Sequence, residues 1–166
     1  MDLSVLVSAL RMLKDVTPLK TDCGEYCQNA CCRDNGEVGS CVWLLPGEDD
    51  DSVMEWADVR IVTMPVTRSE AQAIFCRKLC QRDHRPFLCR IFPLSPYYSQ
   101  KKQRWSVRMD RRAAAICPLF QFGKSGLRRD FLEAAECAVN MLASDQDYRQ
   151  ALEELEKEES AFRFEL

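Results

Sequence analysis

Four cysteine thiols fall within ten residues near the N-terminus, at Cys23, Cys27, Cys31 and Cys32. Packing alone rarely requires thiols at this density, whereas thiolates are ligands for zinc and for iron–sulfur clusters. In a continuous α-helix, Cys23, Cys27 and Cys31 would form one stripe, about 6 Å between neighbours and about 12 Å between the outer two. Sulfurs bound to one tetrahedral zinc ion lie within about 4 Å of each other. The segment is therefore either a loop that wraps one site, or a source of ligands for two sites or a polynuclear cluster.

Six further cysteines follow at wider spacings. They are Cys41, Cys76, Cys80, Cys89, Cys117 and Cys137. A metal site with ligands from such distant positions would tie the fold together, and thiolate zinc sites in small peptides contribute about 10 to 16 kcal/mol. The chain has ten cysteines but a single histidine, His84, so it cannot form a histidine-rich catalytic zinc centre. The alternatives to metal binding are disulfides and cysteines that pack in the core.

The N-terminal residues lack the pattern of a secretory signal. Asp2 stands where a signal peptide carries positive charge, and Ser4 and Ser8 interrupt the apolar run. The uncharged stretch near the later cysteines, residues 113–123, is far shorter than the roughly 20 apolar residues of a membrane-spanning helix. We therefore expect a cytoplasmic protein without a membrane span. In that compartment, metal or redox chemistry explains ten thiols better than disulfides do.

Prolines enclose a second marked segment, Arg85-Pro86-Phe87-Leu88-Cys89-Arg90-Ile91-Phe92-Pro93. They restrict the backbone and would hold Cys89 in a fixed direction. Bound thiolates leave a site with excess negative charge, and Arg85 or Arg90 would offset it through charge-assisted hydrogen bonds to sulfur. The alternative is a rigid loop flanked by two solvated arginines.

These segments form one pattern over residues 22–118. It runs from the clustered cysteines through Cys41-Val42-Trp43-Leu44 and Cys89-Arg90-Ile91-Phe92-Pro93 to Cys117-Pro118. The pattern resembles the zinc- or iron-chelating cysteine-cluster family, also called YkgJ-like proteins, part of which is named after flagellin lysine N-methylase. The family signature is C-x2-C-x2-C-C, whereas this chain has C-x3-C-x3-C-C, one residue longer at each step. The metal ligands implied by the resemblance are Cys23, Cys27, Cys31, Cys32, Cys41, Cys80, Cys89 and Cys117.

The resemblance implies metal chelation, with an iron–sulfur cluster or zinc as the cofactor. Eight thiols, two of them adjacent, exceed what one zinc ion uses, which favours an iron–sulfur cluster, although two zinc sites would use them as well. The corresponding activity is an iron–sulfur oxidoreductase or a component of a protein-modifying enzyme. The alternative is a structural zinc module that binds a partner. Cys76 and Cys137 remain as extra cysteines on predicted helices, and we interpret them as core residues.

A nucleic-acid interpretation depends on charge placement. Residues 68–112 contain twelve Lys and Arg against three Asp and Glu, with Tyr97, Tyr98 and Trp105 among them. Such a surface can contact phosphates and stack on bases. Residues 48–58 hold six acids and residues 145–165 hold eight, however, so the basic segment is expected to pair with acidic segments of the same fold. RNA or DNA is therefore the less favoured partner.

Apolar periodicity and turn signals divide the chain into short elements. They predict a helix over 3–16 and strands over 41–45, 59–64 and 103–109. Capping-box spacing predicts a helix over 71–80, after Thr67 and Glu70, and a short one at Ser52 and Glu55. Three prolines make 84–98 irregular or extended. Two C-terminal helices are expected within 128–164, the second capped by Ser144.

The composition is that of an ordinary globular domain. The 166 residues are 46% hydrophobic and 30% charged, with a net charge of −3, which gives no global field for nucleic acid or membrane. We predict an α+β fold: a small, mostly helical single domain over 1–166, with a few short strands, organised around a cysteine-ligated metal site.

One face of the last helix is apolar and is expected to pack on the domain itself, with a dimer interface as the alternative. Its residues are Tyr148, Leu152, Leu155 and Phe162.

Overall fold

Two small antiparallel sheets and a set of helices make up the part of the chain that the computed structural model describes, residues 1–32, 41–49, 55–77 and 82–161. The helices are α1 (Leu3–Met12), α2 (Cys23–Cys27), α3 (Phe87–Ile91), α4 (Ala113–Ile116), α5 (Arg129–Leu142) and α6 (Gln146–Ala161). The strands are β1 (Val42–Trp43), β2 (Ala57–Thr63), β3 (Glu70–Cys76), β4 (Leu94–Ser99) and β5 (Arg104–Met109). This is an α+β single domain, as predicted. Within the described ranges, no helix has the length and apolar character needed to span a membrane.

The three-stranded sheet has the order β1-β3-β2, and the two-stranded sheet pairs β4 with β5. Both are antiparallel, with Val59 opposite Ile74 in the first and Tyr98 opposite Trp105 in the second. Successive residues of β3 face opposite sides, so Ile74 and Ala73 belong to different buried clusters.

The main core lies between the helices and the β4-β5 hairpin. Helix α1 packs on α5, α5 on β5 and α6 on β4. The apolar face of α6 closes this core: Tyr148 and Leu152 are fully buried and Leu155 is nearly so. The prediction that this face packs on its own domain is therefore confirmed for these three residues, while Phe162 lies outside the described residues.

The helix predicted over 71–80 is wrong. Residues 70–76 form the central strand of the first sheet, because pairing with both β1 and β2 outweighs the local helical pattern. Thr67 does not cap a helix; it lies in the turn between β2 and β3, where its hydroxyl lies 3.0 Å from a carboxylate oxygen of Glu158. Cys76 therefore ends a strand, and the short helix predicted at Ser52 and Glu55 falls largely on residues outside the description.

The other predicted elements are confirmed with shifted bounds, except over 84–98. There the chain forms α3 and then β4, which includes Pro96. A two-stranded sheet has only edge strands, and an edge tolerates a residue without an N–H group. At the start of α6, Asp145 rather than Ser144 is the cap: its carboxylate accepts hydrogen bonds from the backbone N–H groups of Asp147 and Tyr148 at 2.9 and 3.3 Å.

Candidate metal centre

The clustered cysteines lie on a broken segment, not on a continuous helix. Helix α2 begins after Asp22, whose carboxylate accepts a hydrogen bond from Gly24 N–H at 2.9 Å. It ends at Cys27, since Gln28 and Asn29 have left-handed φ values of 52° and 57°. A 3-10 turn then carries the last two cysteines of the group. The chain thus turns between the first pair of thiols and the second, so Cys23, Cys27 and Cys31 do not form the single stripe of a continuous helix.

Cys31 and Cys32 present adjacent thiols at a separation suited to one metal. Their Sγ atoms lie 3.8 Å apart. Two sulfurs at about 2.3 Å from a tetrahedral zinc ion are separated by about 3.8 Å, so this pair already has the spacing of two ligands of one ion. Cys31 is exposed and Cys32 is half-buried, so a metal has access to the pair.

Two cavities collect cysteines from separate parts of the chain. The larger cysteine cavity has a volume of about 100 Å³. Its thiols are those of Cys31, Cys32, Cys41, Cys76 and Cys89. The smaller cysteine cavity, of about 20 Å³, is lined by Cys23, Cys27, Cys31 and Cys117. Because Cys31 lines both, the two cavities adjoin.

The structure places most of the cysteines implied as ligands at these two cavities and gives the two extra cysteines different positions. Every described member of the implied ligand set lines one of the two cavities. Cys80 lies outside the described residues. Cys76, interpreted as a core cysteine on a helix, instead lines the larger cavity at the end of β3. Cys137, for which we expected the same role, is exposed on α5, so it is not a core residue either.

A buried carboxylate positions the helix that carries Cys89. Glu48 is 6% exposed and its side chain accepts hydrogen bonds from the backbone N–H groups of Leu45 and Phe87, at 2.8 and 2.6 Å. Phe87 is the first residue of α3, where N–H groups lack partners within the helix. The sequence placed Glu48 in an acidic run, and nothing local indicated that it would bridge to residue 87.

The two arginines that flank Cys89 make different contacts. Arg90 is buried, and its guanidinium donates to the backbone carbonyls of Arg85, Leu10 and Asp83, at 2.7, 3.2 and 2.6 Å. It therefore fastens the loop before α3 to the end of α1. Arg85 lines the larger cavity. Burial raises the pKa of the Cys23 thiol, and the positive charge of Arg85 opposes that increase. Of the two, Arg85 has the position expected of a cation that offsets thiolate charge.

Burial keeps several of these thiols protonated in the metal-free protein. It raises the pKa of Cys23 to about 11, helped by the negative charge of Asp22. Burial also raises the pKa of Cys117, and that of Cys41 against the opposing charge of Arg112. Metal binding would require these protons to leave, which makes metal affinity depend on pH.

The larger cavity is also lined by charged and polar groups. Arg112 and Asp110 form a bidentate ion pair there, with Nε–Oδ1 and Nη2–Oδ2 distances of 3.0 and 2.5 Å. The Arg112 guanidinium also stacks on Trp43, 5.0 Å from the ring centroid. Ser95 and Trp56 line the same cavity, and both are 3% exposed. Trp43 belongs to a motif quoted for the family resemblance, whereas the sequence did not single out the other four residues as belonging to a metal site.

The donor chemistry fits a thiolate-bound metal, whereas the described side chains do not yet form a complete ligand sphere. Across residues 1–32, 41–49, 55–77 and 82–161, no three Cys, His, Asp or Glu side chains lie close enough to hold one ion. The Cys31 and Cys32 sulfurs lie at ligand separation. A third ligand would have to approach this pair for the described side chains to hold an ion.

Comparison of the chain with the models of protein families, with curated proteins and with solved structures found no match. The resemblance to the cysteine-cluster family thus rests on the residues quoted for it.

Proposed function

We propose that this protein binds metal through its clustered cysteines, as an iron–sulfur cluster or as zinc. The observation that supports the proposal most is the convergence of distant thiols. Cysteines from α2, from the start of β1, from α3 and from the residue after α4 line two adjoining cavities. Core packing does not require cysteines from so many elements to meet.

The chemistry of the occupant decides the role of the protein. An iron–sulfur cluster would make it an electron carrier or a component of a redox or protein-modifying enzyme, because such clusters exchange electrons. Zinc has no redox chemistry and would tie the elements together as a structural site. In the second case the protein would be a binding module for a partner.

The direct test is the metal content of protein expressed without a tag and purified without oxygen. Iron, zinc and acid-labile sulfide are measured per chain, together with the absorption spectrum. We expect bound metal in the wild type and less of it in Cys32→Ser and Cys117→Ser, each of which removes a thiol from a different cavity. Cys137→Ser is the matched control, since this thiol is exposed and lines neither cavity.

Two results would contradict the proposal. One is wild-type protein that contains no metal after anaerobic purification and takes up neither zinc nor iron with sulfide. The other is a metal content that is the same in all three variants, because binding would then not depend on the cavity thiols.

A further inference from the structure

Two polar atoms at the larger cysteine cavity lack partners. Trp56 Nε1 and Ser95 Oγ are buried, and neither has a hydrogen-bond partner within the described part of the chain. Leaving a buried donor unsatisfied destabilises the fold, so such atoms in a folded protein call for an explanation. Both residues line the same cavity as five thiols, and a bound group there would supply the missing acceptors.

Trp56 belongs to a part of the core that two of those thiols contact. It forms a small buried cluster with Leu44, Ala57 and Ile74, and Cys76 and Cys89 pack against this cluster. Strand pairing explains the placement of Cys76, since Ala57 lies opposite Cys76 in the sheet. The Trp56 carbonyl accepts a hydrogen bond at 3.0 Å from the backbone N–H of Arg77, which directly follows Cys76. Trp56 and Cys76 are thereby held at the same end of the sheet.

The size of the cavity indicates more than a single ion. Four sulfurs around one zinc ion lie about 3.8 Å apart and leave no empty space between them. The larger cavity has about 100 Å³, compared with the roughly 150 Å³ of an engineered cavity that admits benzene. It has room for several heavy atoms. Sulfide ions of an iron–sulfur cluster would occupy such space and accept hydrogen bonds.

We propose that the larger cysteine cavity holds an iron–sulfur cluster that has Cys76 among its ligands and receives hydrogen bonds from Trp56 Nε1–H and the Ser95 hydroxyl. This inference rests on the proposed function, since it requires metal binding by cysteines. It goes further by choosing iron–sulfur over zinc for this cavity and by giving Trp56, Ser95 and Cys76 roles. Hydrogen bonds to cluster sulfur stabilise the more negative, reduced state, so these donors raise the reduction potential.

The test compares reduction potentials of anaerobically purified protein by spectroelectrochemical titration. Trp56→Phe keeps an aromatic ring but removes the N–H, and Ser95→Ala removes only the hydroxyl. We expect both variants to retain iron and sulfide and to shift the potential to more negative values. Trp105→Phe and Ser99→Ala are the matched controls, because both residues are buried in the β4-β5 hairpin and neither lines this cavity. Their potentials are expected to equal that of the wild type.

The role of Cys76 is tested separately by iron content, which we expect to fall in Cys76→Ser but not in Cys137→Ser. Iron-bound protein whose potential is unchanged in both donor variants would overturn the inference and leave the proposed function standing. Purified protein that contains stoichiometric zinc and no sulfide would also overturn the inference and leave the proposed function standing. Full iron content and wild-type potential in Cys76→Ser would remove this residue from the ligand set. Protein that binds no metal at all would overturn the proposed function together with the inference.

Discussion

Cys23 illustrates how burial affects a thiol that is proposed to bind metal. Its thiol is half-buried, and the loss of solvent raises its pKa to about 11. The adjacent negative charge of Asp22 acts in the same direction, and only Arg85 opposes it. A thiolate at this position is therefore costly unless a cation neutralises it. Metal binding removes the cost, because the metal takes the place of the proton.

The raised pKa of Cys23 predicts how the rate of its alkylation depends on pH. In metal-free protein at pH 8, a thiol with a pKa of about 11 is ionised to about 0.1%, so iodoacetamide should modify Cys23 slowly. Since the pKa is raised, the thiolate fraction increases about tenfold per pH unit from pH 8 to pH 10 and levels off above pH 11. Mass spectrometry of peptides measures the rate at each cysteine, with exposed Cys137 as the internal reference. Equal rates at Cys23 and Cys137 at pH 8 would contradict the burial argument.

At the scale of elements, α6 organises the strands through its carboxylates and not only through its apolar face. Glu158 is 4% exposed, and its carboxylate accepts hydrogen bonds from the backbone N–H groups of Val66 and Thr67, at 2.9 and 2.6 Å. Glu156 accepts from the backbone N–H of Tyr98 at 3.0 Å. The helix thus holds the β2-β3 turn and strand β4 in one arrangement, and strand β3 places Cys76 at the larger cavity.

Replacing Glu158 should loosen this attachment. Glu158→Gln keeps the size of the side chain but removes the charge that two backbone N–H groups share, so we expect a loss of about 2 to 3 kcal/mol in the free energy of unfolding. Chemical denaturation of both proteins in the same metal state measures the change. Glu153→Gln, on the exposed side of α6, should change the free energy by less than about 0.5 kcal/mol. A similar effect of the two substitutions would show that Glu158 acts only through general surface charge.

At the scale of the whole molecule, cysteines that are far apart in sequence line two adjoining cavities, where a bound metal would tie several elements together. Metal that binds only the folded protein stabilises it by about 4 kcal/mol when its concentration is a thousand times the dissociation constant. For a domain of about this size, 1 kcal/mol corresponds to about 2 to 4 °C in thermal midpoint. We therefore expect chelation to lower the midpoint by about 8 to 16 °C.

Differential scanning calorimetry of metal-loaded and metal-free samples measures this shift. Returning the metal should restore the midpoint, and Cys137→Ser should behave as the wild type does, because its thiol lines neither cavity. Identical midpoints with and without metal would mean that the cysteine sites do not tie the elements together.

Charge pairing across the molecule bears on the alternative nucleic-acid role. Arg108 pairs with buried Glu159, while Lys102 and Arg104 lie 3.4 and 3.5 Å from carboxylate oxygens of Glu136. Three of the twelve basic residues in this segment thus pair with acids of α5 and α6, and Glu159 belongs to one of the two acidic segments that the sequence interpretation named. Each pair reduces the net positive charge that this surface offers to phosphates.

We accordingly expect weak or undetectable association with RNA. Fluorescence anisotropy with a labelled single-stranded RNA, at 50 and 200 mM salt, should give no saturable binding at micromolar protein. Saturable binding that weakens steeply with salt would instead support the alternative, because release of counterions from phosphates produces such a dependence.

The sequence by itself determined the elements whose pattern is local. Helices α1, α5 and α6 follow from apolar spacing at 3.6 residues, and the basic and acidic segments follow from composition. Local density marked the four clustered thiols, Cys23, Cys27, Cys31 and Cys32, before any contact was known. The more distant cavity thiols, Cys41, Cys89 and Cys117, were implied by the resemblance to the cysteine-cluster family, and Cys76 was in neither set.

Only the tertiary structure decided what depends on distant partners. Residues 70–76 have a helical local pattern, but two neighbouring strands make them a strand and bring Cys76 to the larger cavity. Glu48 and Arg90 hold distant backbone groups in place, and the same cavity is lined by Trp56, which precedes β2, and by Ser95 of β4. Long-range pairing is set by the packing of the whole chain, so no window of neighbouring residues contains it.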